Sequence, residues 1–364
     1  MPEPAIRRNH TAVDGDTAAG QQDPAVTRTP KMASVLRVIR RCAASRAFRW
    51  GFIAVTVALG SYAIAAQWGQ VSRSIDRMGL LTVALALVSV LLGLLMSMQA
   101  WRALLAGLGS PLPVPGAARI VFLGQLGKYL PGSVWPVLAQ MELGTTHRVP
   151  RHRSASASVL FMLVALLTGL LTALVLLPFT RTSSSYLWAL AVTPVLVACL
   201  HPRVLNRLIG RLLRLARQPP LEHPLSGRTL AVALSWWFAA WICFGVQIWL
   251  LTIRLGAPIG SSLLLAIGGY AFAWSVGFIV VFVPAGVGLR DVLLVTTLSP
   301  VVGVGGATAV ALLSRALTTA GDLLTAASAG AWRPRPRTAA HRADESAPSP
   351  EQDHAPEQNQ AERL

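Results

Sequence analysis

Acidic residues are scarce in this sequence. Its 364 residues hold 15 aspartates and glutamates against 32 lysines and arginines, for a net charge of +17. Charged residues of both signs make up 13% of the chain, apolar residues 53%, and the mean hydropathy is positive. So few charges beside so much apolar side chain exclude an ordinary soluble domain. Lysine is nearly absent. Lys31 and Lys128 are the only two, and arginine supplies the remaining basic residues, as a GC-rich coding bias would.

Cysteine is scarce too. Cys42, Cys199 and Cys243 are scattered, with no CxxC and no zinc-ligand spacing, so neither a disulfide framework nor a metal site is expected. The histidines lie in loops and tails. No His/Cys/carboxylate cluster, Gly-rich nucleotide loop or nucleophile motif is present. No catalytic residue, metal or cofactor is therefore expected. The arginine excess does not indicate nucleic acid either. It sits between apolar stretches and at both ends, where positive loops meet anionic headgroups.

The sequence does contain apolar stretches of about 20 residues, the length of a spanning helix. The short alternating segments of a transmembrane barrel are missing. The expected fold class is all-α: a polytopic integral membrane protein of about eight spans, with one or two re-entrant or broken helices. Residues 1–33 and 333–364, rich in Pro, Ala and polar residues, read as disordered tails around a membrane domain over 34–332. Arg37, Arg40, Arg41, Arg46 and Arg49 flank the first span, 50–68. Further spans are expected near 80–101, 156–179, 186–200, 230–253, 262–283 and 307–332. Arg203, Arg207, Arg211 and Arg214 recur at helical spacing and read as an interfacial basic helix. Trp236, Trp237, Trp241 and Trp249 suit packing and interfacial anchoring, or alternatively the lining of a lipid-tail groove.

Two stretches interrupt this apolar pattern. Gly124–Pro136 holds Lys128 among glycines and prolines, and Pro284–Asp291 holds Arg290 in the same company. Irregular backbone and charge survive at membrane depth only where protein or a water-filled cavity surrounds them. If 117–140 enters and returns on one side, the basic loops 147–153 and 201–229 fall on the side of the N-terminal arginines, as the positive-inside rule asks. A cytoplasmic C-terminus then needs 285–304 to cross, as a broken span. The expected location is the cell membrane, multi-pass, with both termini cytoplasmic.

Broken helices offer free N–H ends to anions. Lys128, Arg290 and Arg315 are therefore candidate phosphate ligands. Asp291, Asp322 and Glu142 could balance them or meet a cationic headgroup amine. Plainer readings stand beside these. Lys128 could snorkel from a surface loop, Arg290 and Asp291 could pair locally, and Arg315 and Asp322 could neutralise each other or partners on other helices.

Gly127-Lys128-Tyr129-Leu130-Pro131-Gly132-Ser133-Val134-Trp135 resembles the GKYLPG-type motif of the lysylphosphatidylglycerol synthase transmembrane region family, also called flippase-like. Pro284-Ala285-Gly286-Val287-Gly288-Leu289-Arg290-Asp291 resembles that family's second motif, PGG-x-G-x-R-E, with Ala285 where Gly is usual and Asp291 where Glu is usual. The likeness covers roughly residues 45–332. It implies structural roles for Gly127, Tyr129, Pro131, Gly132, Trp135, Pro284, Gly286 and Gly288. It also implies a protein that binds and translocates a phospholipid or lipid-linked headgroup, aminoacylated or glycosylated. Because the sequence ends after the membrane region, a stand-alone member without the soluble synthase domain is expected. The expected partners are an anionic or zwitterionic membrane lipid and a separate lipid-modifying enzyme, with no nucleic acid. The alternatives are a membrane-bound lipid or glycosyl transferase and a non-catalytic partner of a lipid synthase.

Overall fold

The computed structural model describes residues 78–129, 134–180, 186–215, 225–279 and 288–331, with Gly69, Arg73 and Asp76. The expected tails, the arginine flank, the first span over 50–68, and the segments 130–133 and 280–287 lie outside these residues.

Among the described residues every regular element is helical. In chain order these are α1 (Leu80–Gly107), α2 (Val114–Gln125), a 3-10 turn (Leu126–Tyr129), α3 (Trp135–Thr145), α4 (Arg151–Leu176), a second 3-10 turn (Leu177–Thr180), α5 (Tyr186–Leu200), α6 (Pro202–Leu215), α7 (Gly227–Ile253), α8 (Ile259–Ile279) and α9 (Leu289–Ala331). Five are long and apolar enough to cross a membrane: α1, α4 with its turn, α7, α8 and α9. The protein is an all-α polytopic membrane protein.

Helix boundaries follow local chemistry. Pro115 and Pro136 sit in the first turns of α2 and α3, where a missing N–H is harmless. Ser226 caps α7, its hydroxyl accepting from the Thr229 N–H at 3.1 Å. On α1, Leu81, Leu85, Val88, Leu92 and Leu95 form an exposed apolar stripe, while Ala86, Val90, Met98 and Trp101 are buried. An apolar outer stripe suits a hydrocarbon solvent.

The packing register is set by residues in contact. α1 and α7 run antiparallel over their whole length: Gly107 lies against Thr229, Gly93 against Phe244, and the Arg254 Nε donates to the Met78 carbonyl at 3.0 Å. α2 and α3 form a second antiparallel pair, with Gly116 against His147 and Gly124 against Gln140. At 12 and 11 residues each arm is about half a span. The pair is thus a helical hairpin, with its ends beside α1 and α4 and the 3-10 turn Leu126–Tyr129 at its inner end. This is the re-entrant geometry anticipated for 117–140. The Arg153 Nη1 donates to the Gly109 carbonyl at 3.1 Å, which fixes the hairpin's open end at the arginine-rich end of the bundle.

α9 is two arms. Gly303 has φ 70° and ψ 163°, backbone that suits glycine alone. Arg315 pairs with Asp291 at 2.5 Å, whereas residues 24 apart in a straight helix would lie about 36 Å apart. The arms 289–302 and 304–331 therefore fold back on each other at Gly303. The first arm runs antiparallel to α8, with Arg290 against Gly277 and Thr297 against Gly269. It ends near the start of α8, since Gly306 lies against Leu255. The second arm returns towards the arginine-rich end, past Val90 at Gly321 and towards Leu123 at Gly330. Of the broken span expected over 285–304, the described arm of 14 residues is about 21 Å long, shorter than a full crossing.

Candidate functional site

Two broken hairpins thus open towards opposite ends of the bundle. α2–α3 opens at the arginine-rich end. α8 with the arm 289–302 opens at the other. Their inner ends meet the arm 304–331, and there the charged residues of the membrane domain gather.

The 3-10 turn Leu126–Tyr129 closes the first hairpin and presents two adjacent side chains to one acceptor. The Lys128 Nζ lies 2.5 Å from the Asp322 Oδ2, and the Tyr129 hydroxyl donates to the same oxygen at 2.7 Å. Asp322 is 4% exposed. An unpaired carboxylate there would be costly, so this tie holds the tip of the hairpin against α9. Two helical turns away on the same arm, the Arg315 Nη1 meets the Asp291 Oδ2 at 2.5 Å. Arg315 and Asp322 therefore do not neutralise each other. Each takes its partner from a different broken segment.

Arg290 differs from both. Its guanidinium carbon sits 5.0 Å from the centroid of the Tyr270 ring, an electrostatic contact with the ring face. Its Nε and Nη2 are buried and have no hydrogen-bond partner among the described residues. Arg290 is also close enough to interact electrostatically with Tyr129, and Tyr270 with Arg290, Asp322 and Asp291. Three cations and two carboxylates share the site, which leaves one positive charge over. Gly277 allows the approach of α8 to Arg290: a Cβ there would come within 3.1 Å of the Arg290 Cβ.

Glu142 lies elsewhere. It sits two turns along α3 from the tip and receives both the Nε and the Nη2 of Arg151 at 3.0 Å. Gly127 is buried inside the 3-10 turn, Trp135 opens α3, and Gly288, with φ 96°, precedes α9. Pro131, Gly132, Pro284 and Gly286 lie outside the described residues. None of the charged candidates forms a metal-ligand group, and no such group of His, Cys, Asp and Glu occurs among the described residues.

Two features escaped sequence reasoning. The first is Tyr270, 3% exposed, whose only signal was a lone phenol inside an expected span. It belongs to a ring network with Trp241 and Phe244, and Trp241 in turn stacks on Trp237 and donates to the Thr168 hydroxyl at 3.0 Å. Trp237 and Trp241 are buried, so those two tryptophans pack the bundle interior. The second is the polar clasp on α3. The Ser154 hydroxyl donates to the Gln140 carbonyl at 2.9 Å, and the Ser158 hydroxyl to its side-chain amide oxygen. Both serines come from α4, so the outgoing arm of the first hairpin is fixed to a spanning helix.

At the open end of that hairpin His147 packs against Gly116. Burial and, secondarily, the nearby Arg119 guanidinium hold its pKa below the ordinary 6.5.

Residues 50–326 match the family model described as Lysylphosphatidylglycerol synthase TM region. No curated protein matches the chain.

Proposed function

This chain belongs to the lysylphosphatidylglycerol synthase TM region family, membrane proteins related to lipid modification or translocation, and we propose that it binds and translocates a phospholipid or lipid-linked headgroup. The observation that carries the reading is Arg290. A guanidinium with two buried, unpartnered nitrogens is costly inside a membrane protein unless something anionic completes it. A lipid phosphate does so, because its oxygens match the planar donor fork. Arg290 lies in the first turn of α9, and the N-terminal end of a helix favours an anion.

The surrounding geometry suits transfer. Two hairpins that open towards opposite ends and meet at one charged cluster resemble broken-helix transporters, whose sites lie where discontinuous helices converge. The Lys128–Asp322 and Arg315–Asp291 pairs tie the two broken segments to the arm 304–331, while Arg290 keeps two nitrogens for the phosphate. The headgroup then meets Arg290 between the two hairpins while the acyl tails stay in lipid.

The test is headgroup exposure on the outer leaflet of cells or proteoliposomes carrying Arg290→Ala or Lys128→Ala. At equal protein levels, exposure falls in both variants. Unchanged exposure in both would remove the proposal.

A further inference from the structure

If the chain binds a lipid headgroup as proposed above, its acids restrict the chemistry of that headgroup. Between residues 80 and 331 the sequence contains four: Glu142, Glu222, Asp291 and Asp322. Asp322 is held by Lys128 and Tyr129, Asp291 by Arg315, and Glu142 by both nitrogens of the Arg151 fork. Glu222 lies in the arginine-rich segment between α6 and α7, outside the described residues. The sequence carries no charged residue at 130–133 or 280–287. Among the described residues no carboxylate near the site is left to receive an ammonium group. Arg290 is the cation left over.

We infer that the headgroup is an anionic phosphodiester without an ammonium group, of the phosphatidylglycerol class, rather than an aminoacylated or zwitterionic one. A single negative charge cancels the single positive charge left in the site, so the loaded site is neutral. Neutrality matters most at low dielectric, where unbalanced charge is costly. A zwitterionic headgroup brings an ammonium with no acid to receive it and leaves the positive charge uncompensated. A cationic headgroup adds to the positive charge beside Lys128, Arg290 and Arg315. Drawing Asp322 or Asp291 away to meet an ammonium would strand the cation that now holds it.

The test uses the full-length protein, purified from nanodiscs that contain phosphatidylglycerol, phosphatidylcholine and lysyl-phosphatidylglycerol in equal amounts. Native mass spectrometry reads the lipid that is retained. The expected result is retention of phosphatidylglycerol at least about tenfold above either other lipid. Arg290→Gln should abolish that preference. Equal or preferential retention of phosphatidylcholine or lysyl-phosphatidylglycerol, sensitive to Arg290→Gln, overturns this inference and leaves the lipid-binding proposal standing. Retention indifferent to Arg290→Gln and to lipid class overturns both.

Discussion

Asp291 and Arg315 are 24 residues apart, yet their side chains meet at 2.5 Å. The contact requires the sharp fold-back at Gly303 and ties the start of α9 to its returning arm. Both residues are about a fifth to a quarter exposed, so the pair is only partly desolvated. Replacing Arg315 by Ala should cost about 1–3 kcal/mol, less than a fully buried pair because of that exposure. Replacing both, as Asp291→Asn with Arg315→Gln, should recover part of the loss, since no charge is then stranded. A thermal-unfolding double-mutant cycle in detergent reads the coupling. Additive losses would show that the pair does not hold the arms together. Gly303→Ala should be destabilising by about 1–2 kcal/mol, because a side chain at that φ and ψ is strained.

Lys128 and Tyr129 share one oxygen of Asp322 but contribute unequally. Tyr129→Phe removes one hydrogen bond and leaves the ion pair, a loss of about 1–1.5 kcal/mol. Lys128→Ala leaves a buried carboxylate with a phenol alone, a loss of about 2–3 kcal/mol after allowing for the part-exposed lysine. Lys128→Ala should also free the tip of the hairpin, seen as faster hydrogen exchange over 126–135. Adding Asp322→Asn to Lys128→Ala should restore protection. A Tyr129→Phe loss larger than that of Lys128→Ala would contradict this ranking.

The membrane class, the helices and the two breaks could be read from the sequence because each rests on composition over many residues. Lys128, Arg290, Arg315, Asp291 and Asp322 stood out because charge is rare in apolar surroundings. Their pairing could not be read. The spacing of Arg315 and Asp322 puts both on one helical face and suggests a mutual pair, whereas the fold-back at Gly303 brings Asp291 to one and the α2–α3 hairpin brings Lys128 to the other. Nothing in Val301-Val302-Gly303-Val304 distinguishes a fold-back from a helix that runs on. Glu142 looked like a site acid because it follows the first motif closely, but its partner Arg151 starts the next spanning helix and draws it away from the cluster.

His147 gives a pH test at the open end of the first hairpin. Its pKa is depressed in the folded protein, so there it binds fewer protons than in the unfolded chain. The stability it supports is present above its ordinary pKa of 6.5 and is lost as pH falls through that value towards the folded one. Melting temperature should therefore drop between about pH 7 and 5.5. Part of that drop should be missing in His147→Gln. Parallel profiles for the two proteins would show that His147 does not carry it.

Tyr270 separates a positioning role from a packing role. Its ring lies under the Arg290 guanidinium and beside Phe244 and Trp241, so it both orients the candidate phosphate ligand and fills the interior. Tyr270→Phe keeps the ring face and loses only the hydroxyl. It should retain lipid close to the original protein, because the cation–π contact survives. Tyr270→Leu loses the face. It should weaken lipid retention by about two- to thirtyfold, the equivalent of a contact of about 0.5–2 kcal/mol. Both variants lower melting temperature through altered packing, Leu more than Phe. The decisive readout is therefore lipid-dependent stabilisation: the rise in melting temperature on adding phosphatidylglycerol, measured from each variant's own baseline. If Arg290 is the ligand and Tyr270 its support, that rise is kept in Tyr270→Phe, reduced in Tyr270→Leu and absent in Arg290→Gln. If Tyr270 only packs, Tyr270→Leu shows the full rise from a lower starting point, and the ring beneath Arg290 is structural.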